Sequence, residues 1–335
     1  MIKPARTTNE YYQGILAGNR VILAQAITLV ESDHPDDRSR SDELLNQILS
    51  HTGKAMRIGI TGVPGVGKSA FIESLGGLIT SSGKKLAVLT IDPSSQLTRG
   101  SILGDKTRMP TLAKNEMAFI RPSASGLMTG GVGSRTREST LLCEAAGFEV
   151  IIIETVGVGQ SETAVRNMVD FFLLLLLAGA GDELQGIKKG IIEMADALVI
   201  TKADGANMER ALEAQSEFRH ALHLLPGNDA LWKPRVLTCS ALTGEGIAGI
   251  WSMIQDYEAS AKTSGYLQGN REAQKVHWLK TSFDHLIRDD LARRENLNAI
   301  RLTLEEKVKK DEIAVSVAAR KLLAAYYSAI RGNNS

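Results

Sequence analysis

One segment of the chain restricts its fold more than any other. Gly62-Val63-Pro64-Gly65-Val66-Gly67-Lys68-Ser69 matches the pattern G-x-x-x-x-G-K-[ST]. Residues 56–61 before it read as a strand, and residues 70–75 after it read as a helix. In that setting consecutive backbone N–H groups turn inward around phosphate oxygens. Residues Gly62, Val63, Pro64, Gly65, Val66, Gly67, Lys68, Ser69 and Ala70 form the expected cradle. Lys68 can reach the β- and γ-phosphates, and the Ser69 hydroxyl can hold Mg²⁺. The helix start adds its positive end.

The rest of the chain supports an α/β fold around this turn. Short apolar runs lie at 57–62, 86–91, 117–120, 149–154, 171–178, 197–201 and 235–239, mostly separated by helix-length stretches. That rhythm predicts a mostly parallel sheet covered on both faces. Residues 8–51 read as helical with a polar break at 32–37, after which Ser41 is a candidate helix cap. Beyond about residue 246 the pattern is helical again. Leu279, Phe283, Leu286 and Ile287 mark one stripe; Leu304, Val308, Val315 and Leu322 belong to a second. The expected division is an N-terminal helical extension (1–52), a nucleotide-binding domain (53–262) and a C-terminal helical extension (263–335).

Composition narrows the function classes. Of 335 residues, Lys and Arg supply 39 and Asp and Glu 38, so the net charge of +1 lacks the basic excess of a nucleic-acid binder. Two cysteines, Cys143 and Cys239, lie far apart and suit a reduced, cytoplasmic compartment. The segment Met1–Arg6 has no apolar signal-peptide core. The longest apolar run, Phe171–Ala180, is about half a membrane span. It reads as a buried strand, and no membrane partner is expected.

Base identity comes from Thr201-Lys202-Ala203-Asp204 at a late strand end. This resembles the [NT]-K-x-D motif by which GTPases read guanine. A carboxylate at Asp204 can accept from both the ring N–H and the exocyclic amine of guanine, whereas adenine presents an acceptor there. The Lys202 stem can cover the base plane. Ser240, Ala241 and Leu242 follow the next strand, where a backbone N–H can meet the base oxygen. Thr201 stands in place of the more frequent asparagine, a residue that braces the loop.

Three acids open loops at the ends of predicted strands or within a glycine-bearing segment: Asp92, Asp105 and Glu154. Such carboxylates face the ligand crevice of a parallel sheet. Mg²⁺ takes few protein carboxylates, so not all three need bind it directly. Glu154-Thr155-Val156-Gly157 stands where other GTPases carry D-x-x-G, and Gly157 is expected to sense the γ-phosphate.

The ordered set GVPGVGKS, IDPSS, GSILGDKTRM, ETVGVGQSE and TKAD resembles the MeaB/ArgK family of P-loop GTPases, to which the methylmalonic aciduria type A protein belongs. The resemblance spans roughly residues 10–330. It implies a SIMIBI-type GTPase domain that binds GTP/GDP with Mg²⁺, Lys68, Asp92 and Glu154 serving hydrolysis. It implies a chaperone of adenosylcobalamin-dependent methylmalonyl-CoA mutase that gates cofactor loading and protects or reactivates the enzyme. It implies a homodimer joined through the C-terminal helices. It also implies a mobile loop over 178–190, with Asp182, Gln185 and Lys188 coupling partner binding to hydrolysis. Four glycines in those thirteen residues agree with mobility, and a lysine there can swing toward the phosphates and stabilise transition-state charge.

No intrinsic catalytic glutamine is obvious, although Gln160 lies near the right loop. Slow hydrolysis alone and faster hydrolysis with a partner are therefore expected. No D-x-H-x-x-G cobalamin motif occurs. A kinase acting on a transport binding protein needs an acceptor that nothing in the sequence identifies. A metallochaperone needs clustered ligands, and the six histidines are scattered, with only His220 and His223 able to share a helical face.

Overall fold

A computed structural model describes residues 6–32, 34–91, 108–123, 131–155, 161–179, 189–224 and 232–332. The seven apolar runs form seven strands: β1 (Met56–Gly62), β2 (Leu86–Ile91), β3 (Ala118–Ser123), β4 (Val150–Thr155), β5 (Phe171–Leu177), β6 (Ala197–Thr201) and β7 (Arg235–Thr238). They make one sheet in the order β3-β2-β4-β1-β5-β6-β7, and every pairing is parallel. Burial on both faces explains why β4 and β5 read as near-continuous apolar runs rather than alternating ones.

Right-handed crossovers distribute the helices. Helix α4 (Lys68–Ser81) and α5 (Pro110–Lys114) cover one face. Helices α6 (Gly131–Ala145), α7 (Ser161–Arg166), α8 (Lys189–Met194) and α9 (Met208–Leu224) cover the other. Helix α10 (Ile247–Thr263) returns to pack on α4. All strands point their C-terminal ends to one edge of the sheet, so every loop carrying a predicted site residue from the strand ends emerges there.

The N-terminal region departs from the sequence expectation. It folds as three helices, α1 (Thr8–Leu16), α2 (Arg20–Glu31) and α3 (Pro35–Ile48), packed on one another and on α6. Thr7 and Glu10 form a reciprocal capping box on α1. Asn19 then caps α2, accepting from the N–H groups of Val21 and Ile22, which splits what periodicity joins. Helix α3 starts at Pro35 with His34 as its cap; Ser41 is a buried residue inside the helix, not its cap. Strand β4 also runs past the expected end, so Glu154 lies inside the strand instead of opening a loop.

The chain divides into two compact units, Met1–Val276 and His277–Ser335. Helix α11 (Tyr266–Arg293) begins in the first unit. Within the second, α12 (Glu295–Lys309) packs on α13 (Val315–Gly332). That unit leaves Leu279, Phe283, Leu286, Ile300, Val315 and Tyr327 exposed.

Candidate nucleotide site

The turn after β1 needs its glycines for steric reasons. A Cβ on Gly62 would stand 2.5 Å from the Leu175 carbonyl oxygen, so strand β5 leaves no room for a side chain. Gly67 has φ +96° and caps α4 without any side-chain bond, which leaves the first-turn N–H groups for an anion. Lys68 is buried, and its ammonium donates to the carbonyls of Gly62 at 2.8 Å and Val63 at 3.3 Å. Burial pushes its pKa down, and the charges of Glu154 and Glu162 pull back up.

Ser69, one residue along, donates from Oγ to Glu154 Oε1 at 3.3 Å. Glu154 pairs in register with Ile60 of β1 and Thr90 of β2 and is itself buried. A hydroxyl and a carboxylate thus converge beside the phosphate turn, a hard-oxygen pair that suits Mg²⁺. Next to it Thr155 Oγ1 donates to Thr61 Oγ1 at 2.8 Å, tying the ends of β4 and β1 together.

Glu162 ends the ETVGVGQSE motif, and sequence reasoning gives it no role. The structure buries it at the start of α7, where its charge acts on Lys68. An acid in the first turn of a helix is an ordinary sequence feature; only burial marks this one.

At the base-reading end, the Thr201 hydroxyl donates to Val66 O at 2.7 Å and lies 3.2 Å from Leu176 O. It joins β6 to the phosphate turn, the bracing role expected of the position. Lys202 adopts φ +57° and is exposed. Asp204 Oδ2 accepts from Ser240 Oγ at 2.5 Å. Ser240 is buried and its oxygen also accepts from Leu242 N–H and Thr243 N–H. Ala241 is half-buried, and Leu242 projects its side chain into solvent. The structure therefore brings Lys68, Ser69 and Glu154 together at one place, and Asp204, Ser240, Ala241 and Leu242 at another. Asp92, Asp105, Gly157, Gln160, Asp182, Gln185 and Lys188 lie outside the described residues.

Other features do not compete with this edge of the sheet. A cavity of about 380 Å³ between α2 and the edge strand β3, lined by Arg20, Val21, Phe119 and Arg121 among others, contains none of the site residues. Among the described residues no group of three or more His, Cys, Asp or Glu could hold a metal, and His220 and His223 are solvated on α9. Both cysteines are free and buried, and burial pushes Cys239 up to about 12 and Cys143 higher still. No helix among the described residues is long and apolar enough to cross a membrane.

Comparison with known proteins agrees with the geometry. The family model described as methylmalonyl-CoA mutase-associated GTPase MeaB matches residues 23–297. GTPase ArgK of Escherichia coli strain K12 is 49% identical over 292 residues, covering 87% of this chain and 88% of that one. The mitochondrial methylmalonic aciduria type A homolog of Mus musculus is 42% identical over 336 residues, covering 97% of this chain and 81% of that one. The crystal structure of a LAO/AO transport system kinase superposes with a TM-score of 0.77 at 40% identity, covering 98% of this chain and 99% of that one. A parallel seven-stranded sheet with a glycine-rich turn between β1 and α4 is the frame of a P-loop nucleotide hydrolase, and the chain belongs to the MeaB family of P-loop GTPases.

Proposed function

We propose that this GTPase is a chaperone of an adenosylcobalamin-dependent methylmalonyl-CoA mutase, using GTP binding and hydrolysis to gate cofactor loading and to protect or reactivate the enzyme. The observation that carries the reading is the match across 23–297 to a family named for its association with the mutase, and the Ser69–Glu154 and Ser240–Asp204 bonds are consistent with it.

Each residue then has a chemical task. Lys68 places a positive charge against the terminal phosphates, and the N–H groups of Gly62–Ala70 hold the phosphate chain. Asp204 accepts from the guanine ring N–H and amine, Lys202 covers the base, and the Ser240–Leu242 segment offers backbone donors to the base oxygen. Mg²⁺ would be held by Ser69 and Glu154, with Asp92 and Asp105 completing the acidic set; when bound, it neutralises charge on the phosphate oxygens. Gly157 senses the γ-phosphate. Asp182, Gln185 and Lys188 couple mutase docking to hydrolysis, so turnover is slow alone and partner-activated.

We assign residues 53–262 to nucleotide binding, with helical extensions at 1–52 and 263–335. The second extension joins two copies into a homodimer, supported by the exposed Leu279, Phe283 and Leu286 of α11. The two unpaired cysteines support a cytoplasmic setting. Neither nucleic acid nor a membrane is a partner in this reading. Co-elution of the chain with purified mutase on a sizing column, with GTP and with GDP, tests it. The expected result is a nucleotide-dependent complex; two separate peaks under both conditions contradict it.

Similarity to the solved LAO/AO transport system kinase favours a second reading, phosphoryl transfer to a transport binding protein. Labelled phosphate appearing on such an acceptor, from GTP or ATP, would select it.

A further inference from the structure

A chain of hydrogen bonds runs from the phosphate-binding helix to the base-reading carboxylate, and it begins at a residue no motif includes. Ser74 lies in α4, past the phosphate turn, and donates from Oγ to the Ala241 carbonyl at 2.8 Å. The N–H of that same peptide unit, on Leu242, donates to Ser240 Oγ at 3.2 Å. The peptide plane between Ala241 and Leu242 is therefore held on both sides. Ser240 Oγ in turn donates to Asp204 Oδ2 at 2.5 Å. Each hydroxyl has one proton, so the directions follow: Ser240 must accept from the backbone and give its proton to Asp204.

We propose that Ser74 is a positioning residue for guanine recognition. It touches neither base nor phosphate. It fixes the peptide that orients Ser240, and Ser240 fixes the rotation of the Asp204 carboxylate. Networks of this kind strengthen along their length when every member is satisfied. Because Ser74 sits on the helix that begins at Lys68, the relay also sets the distance between phosphate and base subsites. The proposal rests on the reading of Asp204 as the guanine acceptor.

The measurement is the affinity of the full-length protein for GDP and for IDP, which lacks the exocyclic amine and so forgoes one bond to Asp204. In Ser74→Ala, GDP binding weakens about five- to tenfold, the effect of one neutral hydrogen bond. IDP binding weakens less, so the GDP/IDP ratio contracts. Ser74→Thr and Ser74→Val, which differ only in the hydroxyl, give the same contrast should alanine disturb the helix. Threonine keeps the wild-type ratio and valine loses it. Asp204→Asn separates the two levels of the claim. If it abolishes GDP preference while Ser74→Ala and Ser74→Val keep the wild-type ratio, the Ser74 proposal is overturned and the guanine site stands. If Asp204→Asn leaves GDP preference intact, the guanine reading falls and the relay with it.

Discussion

The two edges of the sheet solve opposite problems. At the N-terminal ends of the strands, charges are buried and closed. Asp170 is fully buried ahead of β5 and accepts from Arg271 Nε at 2.7 Å and Nη2 at 2.5 Å, while Arg271 also reaches the Gly53 and Ala55 carbonyls. Arg57 pairs with Glu144 at 2.8 Å, and Arg166 with Asp196 at 2.8 Å. At the C-terminal ends, the connections are made by hydroxyls, to carbonyls from Thr201 and Ser74 and to carboxylates from Ser69 and Ser240. The cations show the difference. Burial pushes both Arg271 and Lys68 down, but Asp170, with the charges of Glu144 and Glu258, more than reverses this for Arg271, whereas Lys68 stays lowered. One edge uses complete ion pairs to hold the chain together. The other holds its shape with single hydroxyl bonds and leaves Lys68 only partly compensated, the arrangement that suits an edge receiving phosphates.

Breaking the closed edge has the largest expected effect on folding. Asp170→Ala leaves Arg271 buried without its carboxylate and lowers unfolding free energy by about 3–5 kcal/mol in urea titration. GDP affinity of the folded fraction is retained. Breaking the open edge reverses the pattern. Lys68→Ala lowers kcat for GTP about 10²–10³-fold, as loss of a key charge at a transferring group does. Its stability falls by less than that of Asp170→Ala, because burial already disfavours the ammonium and this offsets part of the loss of its bonds to the Gly62 and Val63 carbonyls. An equal loss of stability in both variants would erase the contrast.

Thr201→Val keeps shape and removes the donor, orphaning the Val66 carbonyl. A loss of about 1–3 kcal/mol in stability is expected, with weaker GDP binding, since the lost bond joins the two subsites. Wild-type values for both would show that the brace is idle. The smallest effect sharpens the closed edge. Burial raises Asp196 to about 6, against the opposing pull of Arg166. Between about pH 4 and 6 the folded chain holds a proton there that the unfolded chain releases. The stability from this group is full below about pH 4 and is lost as pH rises through about 6. The unfolding free energy of wild type minus that of Asp196→Asn therefore falls by about 1–2 kcal/mol from pH 4 to 7. A difference that grows with pH contradicts this.

The open edge is the legible one in the sequence. The phosphate turn, Lys202, Asp204 and Ser240 stand out because their chemistry demands particular residues at short spacing. The strands stand out because burial on both faces makes them apolar throughout. The closed edge is not legible. Asp170 and Arg271 lie 101 residues apart and carry no local pattern; at the open edge only Glu162 and Ser74 escape, Glu162 because it looks like any first-turn acid. The break at Gly18-Asn19 escapes a reading by periodicity because apolar spacing continues across it; the Asn19 cap is the available signal. Ser74 is invisible for the same reason as Arg271, since its partner lies 167 residues away.

A GTP switch read by a mutase is tested most directly by GTP turnover of the purified protein, with and without a purified adenosylcobalamin-dependent methylmalonyl-CoA mutase, with ATP in parallel. Such a switch hydrolyses GTP slowly alone, is accelerated by the mutase, shows no comparable turnover of ATP, and loses the acceleration in Lys188→Ala. Unchanged GTP turnover in the presence of the mutase would contradict it.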